Sequence, residues 1–240
     1  MIYWQIIAID SYIQLQTSKI IRSSIQNVFT QPWYDFSLIE NADVIYISNP
    51  NNPTGYLLSP GVIATLVDEN PDKLFIIDEA YYEFCKHLAA AYDNIIVTRT
   101  FSKAFSLASA RLGYICTSEK NIETINKIRN KKEVNSYAQH FGAVILKNVD
   151  LFDKRVSVVN RNKSFFINEI KKLQIEFCDS FSNFVLIRLN NHKKALKELS
   201  DNNILVRDRS NIPGLENCIR ITIDTLQNME HVLEILSKND

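Results

Sequence analysis

Short apolar runs that end in polar residues constrain the fold of this 240-residue chain more than any other feature. Four such runs are rich in Ile and Val and are bounded by turn residues or charges, as buried strands are. They are Asp43–Ser48, Lys73–Asp78, Asn94–Arg99 and Leu112–Thr117. Between them lie a helical pattern opened by Ser-Pro at 59–70 and a less regular stretch at 79–92. Strands that alternate with helices predict an α/β fold with a mostly parallel sheet.

The last third of the chain predicts a smaller α+β lobe. The pattern turns helical from residue 120 to about 172, and a long helix over 152–172 is expected to connect the two lobes. Beyond it we predict strands at 184–189, 204–207 and 218–223, with helices at 193–200 and 225–238. The predicted domains are therefore residues 1–150 and residues 151–240.

Composition excludes several classes of protein. The 27 Lys and Arg residues balance 27 Asp and Glu residues, so no charge excess indicates nucleic acid or an anionic membrane. No apolar run approaches the length of a membrane span, and the N-terminal residues lack a signal-peptide pattern, so we expect a cytoplasmic protein. The four cysteines and four histidines show no zinc spacing, and no metal site is predicted. The five glycines form no dinucleotide-binding or P-loop motif.

Polar residues follow three of the predicted strands directly. They read N-P-N-N-P-T-G at 49–55, D-E-A-Y at 78–81 and T-F-S-K at 100–103. Taken alone, each motif has a structural interpretation: a proline turn, a helix cap or a solvated lysine. Ligands of open parallel sheets bind beyond the carboxyl ends of the strands. The occurrence of all three motifs at successive strand ends therefore favours a binding site.

These side chains suit the chemistry of pyridoxal 5′-phosphate (PLP). A Lys amine can bind a carbonyl cofactor covalently, and PLP sites add a carboxylate that pairs with the pyridine nitrogen. Lys103 and Asp78 are the candidates for these two tasks. The cofactor phosphate needs hydrogen-bond donors, which Thr100, Ser102 and Arg111 can supply, Arg111 in a bidentate manner.

Seven segments together resemble the PLP-dependent aminotransferases of fold type I (class I/II), and most closely the histidinol-phosphate aminotransferases. The resemblance runs from about residue 35 to the C-terminus, and its segments keep the order and spacing of that family. They are NPNNPTG at 49–55, IIDEAYYEF at 76–84, RTFSKAFSLASARLGY at 99–114, VNSYAQ at 134–139, SNFVLIR at 182–188, ILVRD at 204–208 and GLENCIRITI at 214–223.

The resemblance implies roles for the catalytic residues. Lys103 holds the cofactor covalently and moves the proton between the substrate carbon and cofactor atom C4′. Asp78 pairs with the pyridine nitrogen. Asn52 and Tyr81 donate hydrogen bonds to the ring hydroxyl. The resemblance also implies a cis peptide bond at Asn52-Pro53, which X–Pro bonds adopt in only about 5% of cases.

Further residues are assigned to binding by the same resemblance. Thr100, Ser102 and Arg111 hold the cofactor phosphate. Arg220 binds the anionic group of the substrate, although an Arg in an alternating strand can also simply face solvent. Asn135 and Arg207 are weaker candidates for substrate contact.

The implied reaction converts histidinol phosphate and 2-oxoglutarate into imidazole acetol phosphate and glutamate, in a homodimer. Two alternatives stay open: a PLP-dependent amino-acid phosphate decarboxylase of the same fold, and an inactive truncated aminotransferase. The family carries a small-residue loop that donates backbone N–H groups to the cofactor phosphate, upstream of NPNNPTG. No such loop is recognisable before Gly55. We therefore expect a large domain that is incomplete at its N-terminus.

Overall fold

The computed structural model describes residues 39–87, 92–130 and 132–238, the strands at 3–7, 20–22, 25–26 and 33–34, and residues 29 and 36. Residues 88–91 of the less regular stretch expected at 79–92 lie outside this part. The chain divides into two compact units. The first comprises residues 1–25, 34–50 and 58–153, and the second comprises residues 26–33, 51–57 and 154–240. The domain boundary at residue 150 stays a prediction.

The first unit is built on a six-stranded sheet with the strand order β1-β8-β7-β6-β5-β2. Its strands are β1 (Tyr3–Ile7), β2 (Ile20–Arg22), β5 (Val44–Ser48), β6 (Leu74–Asp78), β7 (Ile95–Thr100) and β8 (Gly113–Thr117). The pairings β2–β5, β5–β6 and β6–β7 are parallel, whereas β7–β8 and β8–β1 are antiparallel. The short strands β3 (Ile25–Gln26) and β4 (Trp33–Tyr34) form a separate sheet. The sheet is therefore mostly parallel, as predicted.

Strands β1 and β2 were not among the predicted elements. The sequence before residue 33 shows no strand that we could recognise, yet both strands pair with the central sheet. The four apolar runs form β5 to β8 within one residue of the predicted bounds at every end. Their burial explains this success, because residues such as Ile45, Ile47, Phe75 and Ile77 fill the core.

Helices of the first unit are α1 (Pro60–Asp68), α2 (Tyr82–Cys85), α3 (Glu119–Ile128) and α4 (Ser136–Lys147). Helix α1 begins where predicted, because Pro60 occupies its first turn and the Ser59 hydroxyl accepts a hydrogen bond from the Val62 amide. Helix α4 packs on a cluster of Phe101, Phe105 and Leu112. This cluster anchors the segment between β7 and β8 that contains Lys103.

The second unit is the predicted α+β lobe. Its sheet has the order β11-β12-β10-β9, and all three pairings are antiparallel. The strands are β9 (Glu176–Phe177), β10 (Phe184–Arg188), β11 (Arg207–Asp208) and β12 (Cys218–Thr222). Helices α6 (His192–Asp201) and α7 (Leu226–Leu236) pack on it with part of α5 (Val149–Lys172). The function of α5 as a connection between lobes stays a prediction.

The strand predicted at 204–207 is wrong. Only Arg207 of that stretch is in a strand, the two-residue β11. Asn203 adopts a left-handed conformation with φ 60°, and the Ile204 amide donates to the Leu199 carbonyl, 2.8 Å away. These residues therefore form the C-terminal cap of α6 instead of a strand. The apolar run reads as a strand in the sequence because the side chains of Ile204 and Val206 pack on the core.

Candidate active site

The carboxyl ends of β5, β6 and β7 meet at one edge of the sheet in the first unit, because these neighbouring strands are parallel. Asp78 is the last residue of β6 and Thr100 is the last residue of β7. Strand β8 runs the other way, so its first residue, Gly113, pairs with Thr100. The antiparallel turn between β7 and β8 thus brings Lys103 and Arg111 to the same edge.

Asp78 is half-buried, and both of its carboxylate oxygens accept hydrogen bonds. The Tyr46 hydroxyl donates to Oδ2, and the Ala80 amide donates to Oδ1 over 3.1 Å. Tyr46 lies on β5, where Ser48 is the register partner of Asp78. These two contacts fix the orientation of the carboxylate at the sheet edge.

Lys103 follows β7 in an exposed turn, and its amine lies 5.4 Å from the centroid of the Tyr81 ring. Tyr81 itself is buried in the segment that follows Asp78. The side chain of Lys103 therefore extends towards the β6–α2 segment. Lys103, Asp78 and Tyr81, the three predicted catalytic residues, lie in two segments that the structure brings together.

Thr100 and Ser102 form a pair of hydroxyls at the end of β7. The Thr100 hydroxyl lies 2.9 Å from Ser102 Oγ and accepts a hydrogen bond of 3.1 Å from the Ser102 amide. Arg111 is exposed, adopts a left-handed conformation with φ 52°, and donates from Nη1 to the Ala108 carbonyl at 3.4 Å. All three predicted phosphate ligands thus belong to the β7–β8 segment of the first unit.

Asn52 and Arg220, the other two predicted site residues, belong to the second unit and contact each other. Arg220 Nη1 donates to Asn52 Oδ1 over 2.6 Å, and the guanidinium lies 4.7 Å from the centroid of the Phe184 ring. The peptide bond Asn52-Pro53 is cis, as the resemblance implied, and Asn49-Pro50 is also cis. The functions of Asn52 and Arg220 stay predictions.

The two weaker candidates for substrate contact have structural environments of their own. Asn135 caps helix α4, because its Oδ1 accepts a hydrogen bond of 2.9 Å from the Ala138 amide. Arg207 is exposed on β11, where its register partner is Arg220. Capping explains an Asn at position 135 without any substrate.

A buried polar network on the opposite face of β7 was missed in the sequence. Arg99 donates from Nε and Nη2 to Glu79 Oε2 over 2.8 and 2.7 Å, and its guanidinium stacks 3.4 Å from the centroid of the Tyr82 ring. Burial opposes the charge on Arg99, but Glu79 and Tyr114 outweigh it and raise the pKa of the guanidinium. Burial also raises the pKa of Tyr114 to about 12. Alternation along β7 could have indicated that Arg99 faces away from Thr100, but only the strand register identifies its partners.

Comparison with known proteins identifies the family of the chain. The family model for aminotransferase class I and II matches residues 23–236. The chain belongs to the aminotransferase class I and II family. This confirms the predicted family and, with the likeness to solved structures, the predicted fold type I architecture.

Two curated relatives of this aminotransferase-family chain are transaminases. A dihydroxyacetone phosphate transaminase from Campylobacter jejuni is 39% identical over 80% of this chain and 54% of its own length. A histidinol-phosphate aminotransferase from Buchnera aphidicola is 37% identical over 84% of this chain and 59% of its own length. The chain thus spans a little more than half the length of these relatives.

A solved structure with the same fold is an L-threonine-O-3-phosphate decarboxylase from Porphyromonas gingivalis. It superimposes with a TM-score of 0.74 at 28% identity, over 85% of this chain and 65% of its own. The aminotransferase fold of this chain is therefore shared with enzymes of different named activities, and the fold alone does not select among them.

The residues at the sheet edge of the first unit fit PLP, the cofactor that family membership supports. Asp78 offers an oriented acceptor for a protonated ring nitrogen, and Lys103 offers a primary amine. The hydroxyls of Thr100 and Ser102 and the guanidinium of Arg111 are donors suited to a phosphate. Among the described residues, no cluster of His, Cys, Asp or Glu could hold a metal ion, and no helix has the length and apolar character of a membrane span.

Proposed function

We propose that this chain is a PLP-dependent aminotransferase. The observation that carries the proposal is the position of the Lys103 amine near the Tyr81 ring. Lys103 follows β7, Tyr81 lies in the segment that begins with Asp78 at the end of β6, and these two strands are neighbours. An amine and an oriented carboxylate at the carboxyl edge of a mostly parallel sheet are the two groups that PLP chemistry requires of a protein. Membership of the aminotransferase class I and II family supports the same conclusion.

PLP supplies, when bound, a carbonyl carbon for attachment and a ring that accepts electrons. Asp78 holds a proton on the ring nitrogen, because its carboxylate favours the cationic ring. Lys103 would hold the cofactor and would carry the proton between the substrate carbon and C4′. Tyr81 and Asn52 donate to the ring hydroxyl. Thr100, Ser102 and Arg111 bind the phosphate, and Arg220 binds an anionic group of the substrate.

We infer that the substrates are a phosphorylated amino donor and the acceptor 2-oxoglutarate. Histidinol phosphate is the donor that we propose. The products would be imidazole acetol phosphate and glutamate, a step of histidine biosynthesis. The Buchnera relative supports this assignment by its name, and the Campylobacter relative is also named for a phosphorylated substrate. The four free cysteines support a reducing compartment such as the cytoplasm.

A second candidate function is decarboxylation of an amino-acid phosphate. The structural likeness to the threonine-phosphate decarboxylase favours it. Product analysis separates the two reactions, because transamination converts the donor amine into a ketone and 2-oxoglutarate into glutamate, whereas decarboxylation releases carbon dioxide. A third possibility is an inactive chain, which turnover of histidinol phosphate by the purified protein would eliminate.

Covalent attachment of PLP to Lys103 is the first test. Titration of the purified chain with PLP should produce the visible absorption band of the protein-bound cofactor, and borohydride reduction should fix one PLP to the peptide that contains Lys103. Lys103→Ala should abolish both signals, because the substitution removes the amine to which PLP would be attached. Lys120→Ala, on the exposed surface of α3, is the matched control. Absence of the band in the unmodified chain would overturn the proposed function.

We also propose a homodimer. Helix α4 exposes apolar side chains at the spacing of one helix face, Tyr137, Phe141 and Val144. Contiguous exposed apolar surface commonly marks a protein–protein contact.

A further inference from the structure

A buried ion pair joins the two segments that carry the proposed PLP ligands. Glu79 follows Asp78 directly, and Arg99 directly precedes Thr100. Their side chains are 1% and 5% exposed, and two nitrogens of Arg99 donate to one oxygen of Glu79. Each residue of the pair is therefore the immediate neighbour of a residue at the proposed site.

The ion pair lies on the face of β7 that is opposite to the proposed site. In the β6–β7 register, Asp78 pairs with Thr98. Side chains alternate along a strand, so Thr98 and Thr100 share the face of Asp78, and Arg99 lies on the other face. Tyr114 of β8 is the register partner of Arg99 and shares its face. The pair thus lies on the face of the sheet opposite to the proposed site, where it contacts the segments that carry the site and not the ligand.

The Arg99 guanidinium connects several elements at once. It hydrogen-bonds Glu79 after β6, interacts with Tyr114 of β8, and stacks on the ring of Tyr82 at the start of α2. An apolar core would serve folding equally well, since replacing a buried ion pair by hydrophobic residues is often neutral or stabilising. Apolar contacts are not directional, whereas the hydrogen bonds of the planar guanidinium fix the relative positions of its partners.

We propose that Glu79 and Arg99 are positioning residues, which hold the Asp78–Tyr81 segment in register with the Thr100–Lys103 segment so that both engage one PLP molecule. This inference rests on the proposed function. It assigns the pair no contact with cofactor or substrate. The pair acts on the relative positions of Asp78 and Lys103. The groups of a binding site must keep such positions to within about 0.5 Å.

The test uses a double variant that separates positioning from folding. Glu79→Met combined with Arg99→Met removes both charges and keeps similar side-chain volume, so cooperative unfolding should be retained. The matched control is Glu133→Met with Arg129→Met, a partly buried pair at 3.4 Å between α3 and α4. Two quantities are measured: amide hydrogen exchange at 78–82 and 98–103 without PLP, and the Kd of PLP from its visible band.

We expect exchange in those two segments and the Kd of PLP each to rise about tenfold in the double variant, and neither to change in the control. Arg99→Lys keeps the charge but loses the two-point contact, and should raise both quantities by a smaller factor. If the double variant fails to fold, Arg99→Lys alone provides the test. Values within twofold of the unmodified chain for either folded variant would overturn the positioning role.

The two proposals fail in distinguishable ways. If the unmodified chain binds no PLP, the proposed function is overturned. Amide exchange in the chain without cofactor then decides whether the pair positions these segments: faster exchange in the variants supports it, and unchanged exchange overturns it.

Discussion

Glu83 is a carboxylic acid in a buried environment. It lies in helix α2, the residue is only 8% exposed, and Oε2 accepts no hydrogen bond from the residues that the structure describes. Burial raises the pKa of Glu83 from 4.5 to about 7. Arg99 opposes that increase, and Glu79 and Asp153 add to it. Asp153 is itself paired with Lys86 at 3.0 Å.

This pKa predicts that protein stability depends on pH through Glu83. Below pH 4.5 both folded and unfolded states hold the proton, and the stabilising contribution is fully present. Between pH 4.5 and about 7 the unfolded state loses the proton first, so the free energy of unfolding falls as pH rises. The total effect is at most about 3 kcal/mol, since one pKa unit corresponds to about 1.4 kcal/mol.

Glu83→Gln should remove that dependence. The quantity to follow is the free energy of unfolding of the variant minus that of the unmodified chain, measured by urea unfolding at each pH. This difference should increase by up to about 3 kcal/mol between pH 4 and pH 8. Glu123→Gln, on the exposed surface of α3, should leave the profile unchanged. Parallel profiles for Glu83→Gln and the unmodified chain would show that Glu83 ionises normally in the folded protein.

Among the elements, the loop N-P-N-N-P-T-G depends on a glycine for two independent reasons. Gly55 has φ +78°, and a Cβ built on it would lie 2.2 Å from Ser180 Oγ and 2.9 Å from Ser180 Cα. The Gly55 carbonyl also accepts a hydrogen bond of 2.9 Å from the Phe181 amide. Within the second unit, Gly55 therefore packs against residues 180–181 at a distance that excludes a side chain at position 55.

Three Gly→Ala variants separate backbone strain from crowding. Gly214→Ala meets only the strain of φ +83°, and should cost about 1–2 kcal/mol of unfolding free energy. Gly55→Ala adds the clash with Ser180, for a further 1–3 kcal/mol or so. Gly61→Ala has open space in helix α1 and should stabilise the protein by up to about 1 kcal/mol. If chemical unfolding shows equal losses of unfolding free energy for Gly55→Ala and Gly214→Ala, the loop shifts to accommodate the added methyl group and the clash with Ser180 has no cost.

At the scale of the whole molecule, the exposed face of α4 predicts self-association. Tyr137 is 78% exposed, and Phe141 and Val144 follow it on the same face. Phe141→Ser should raise the dimer dissociation constant about tenfold or more, because buried aromatic side chains dominate interfaces. Light scattering after size-exclusion chromatography measures the mass over a concentration series. Lys147→Ser, exposed near the end of the same helix, is the control, and a monomer at every concentration would contradict the dimer.

Local sequence determined much of this protein. Strands β5 to β8 follow from Ile- and Val-rich runs, α1 follows from Ser-Pro, and the polar residues at the ends of β5, β6 and β7 identified Asp78 and Lys103 as candidates for one site. These signals are readable because each depends on residues that are close in the chain, through apolar runs, capping and turn preferences.

Tertiary structure decided which side chains face each other. The contact of Tyr46 with Asp78 spans 32 residues, and the contact of Glu79 with Arg99 spans 20. Both require the order and register of strands, which no local pattern specifies, because pairing is set by long-range packing and a slip of one residue reverses every face. The same reason explains why Arg111 reaches the candidate site only through the antiparallel pairing of β8 with β7.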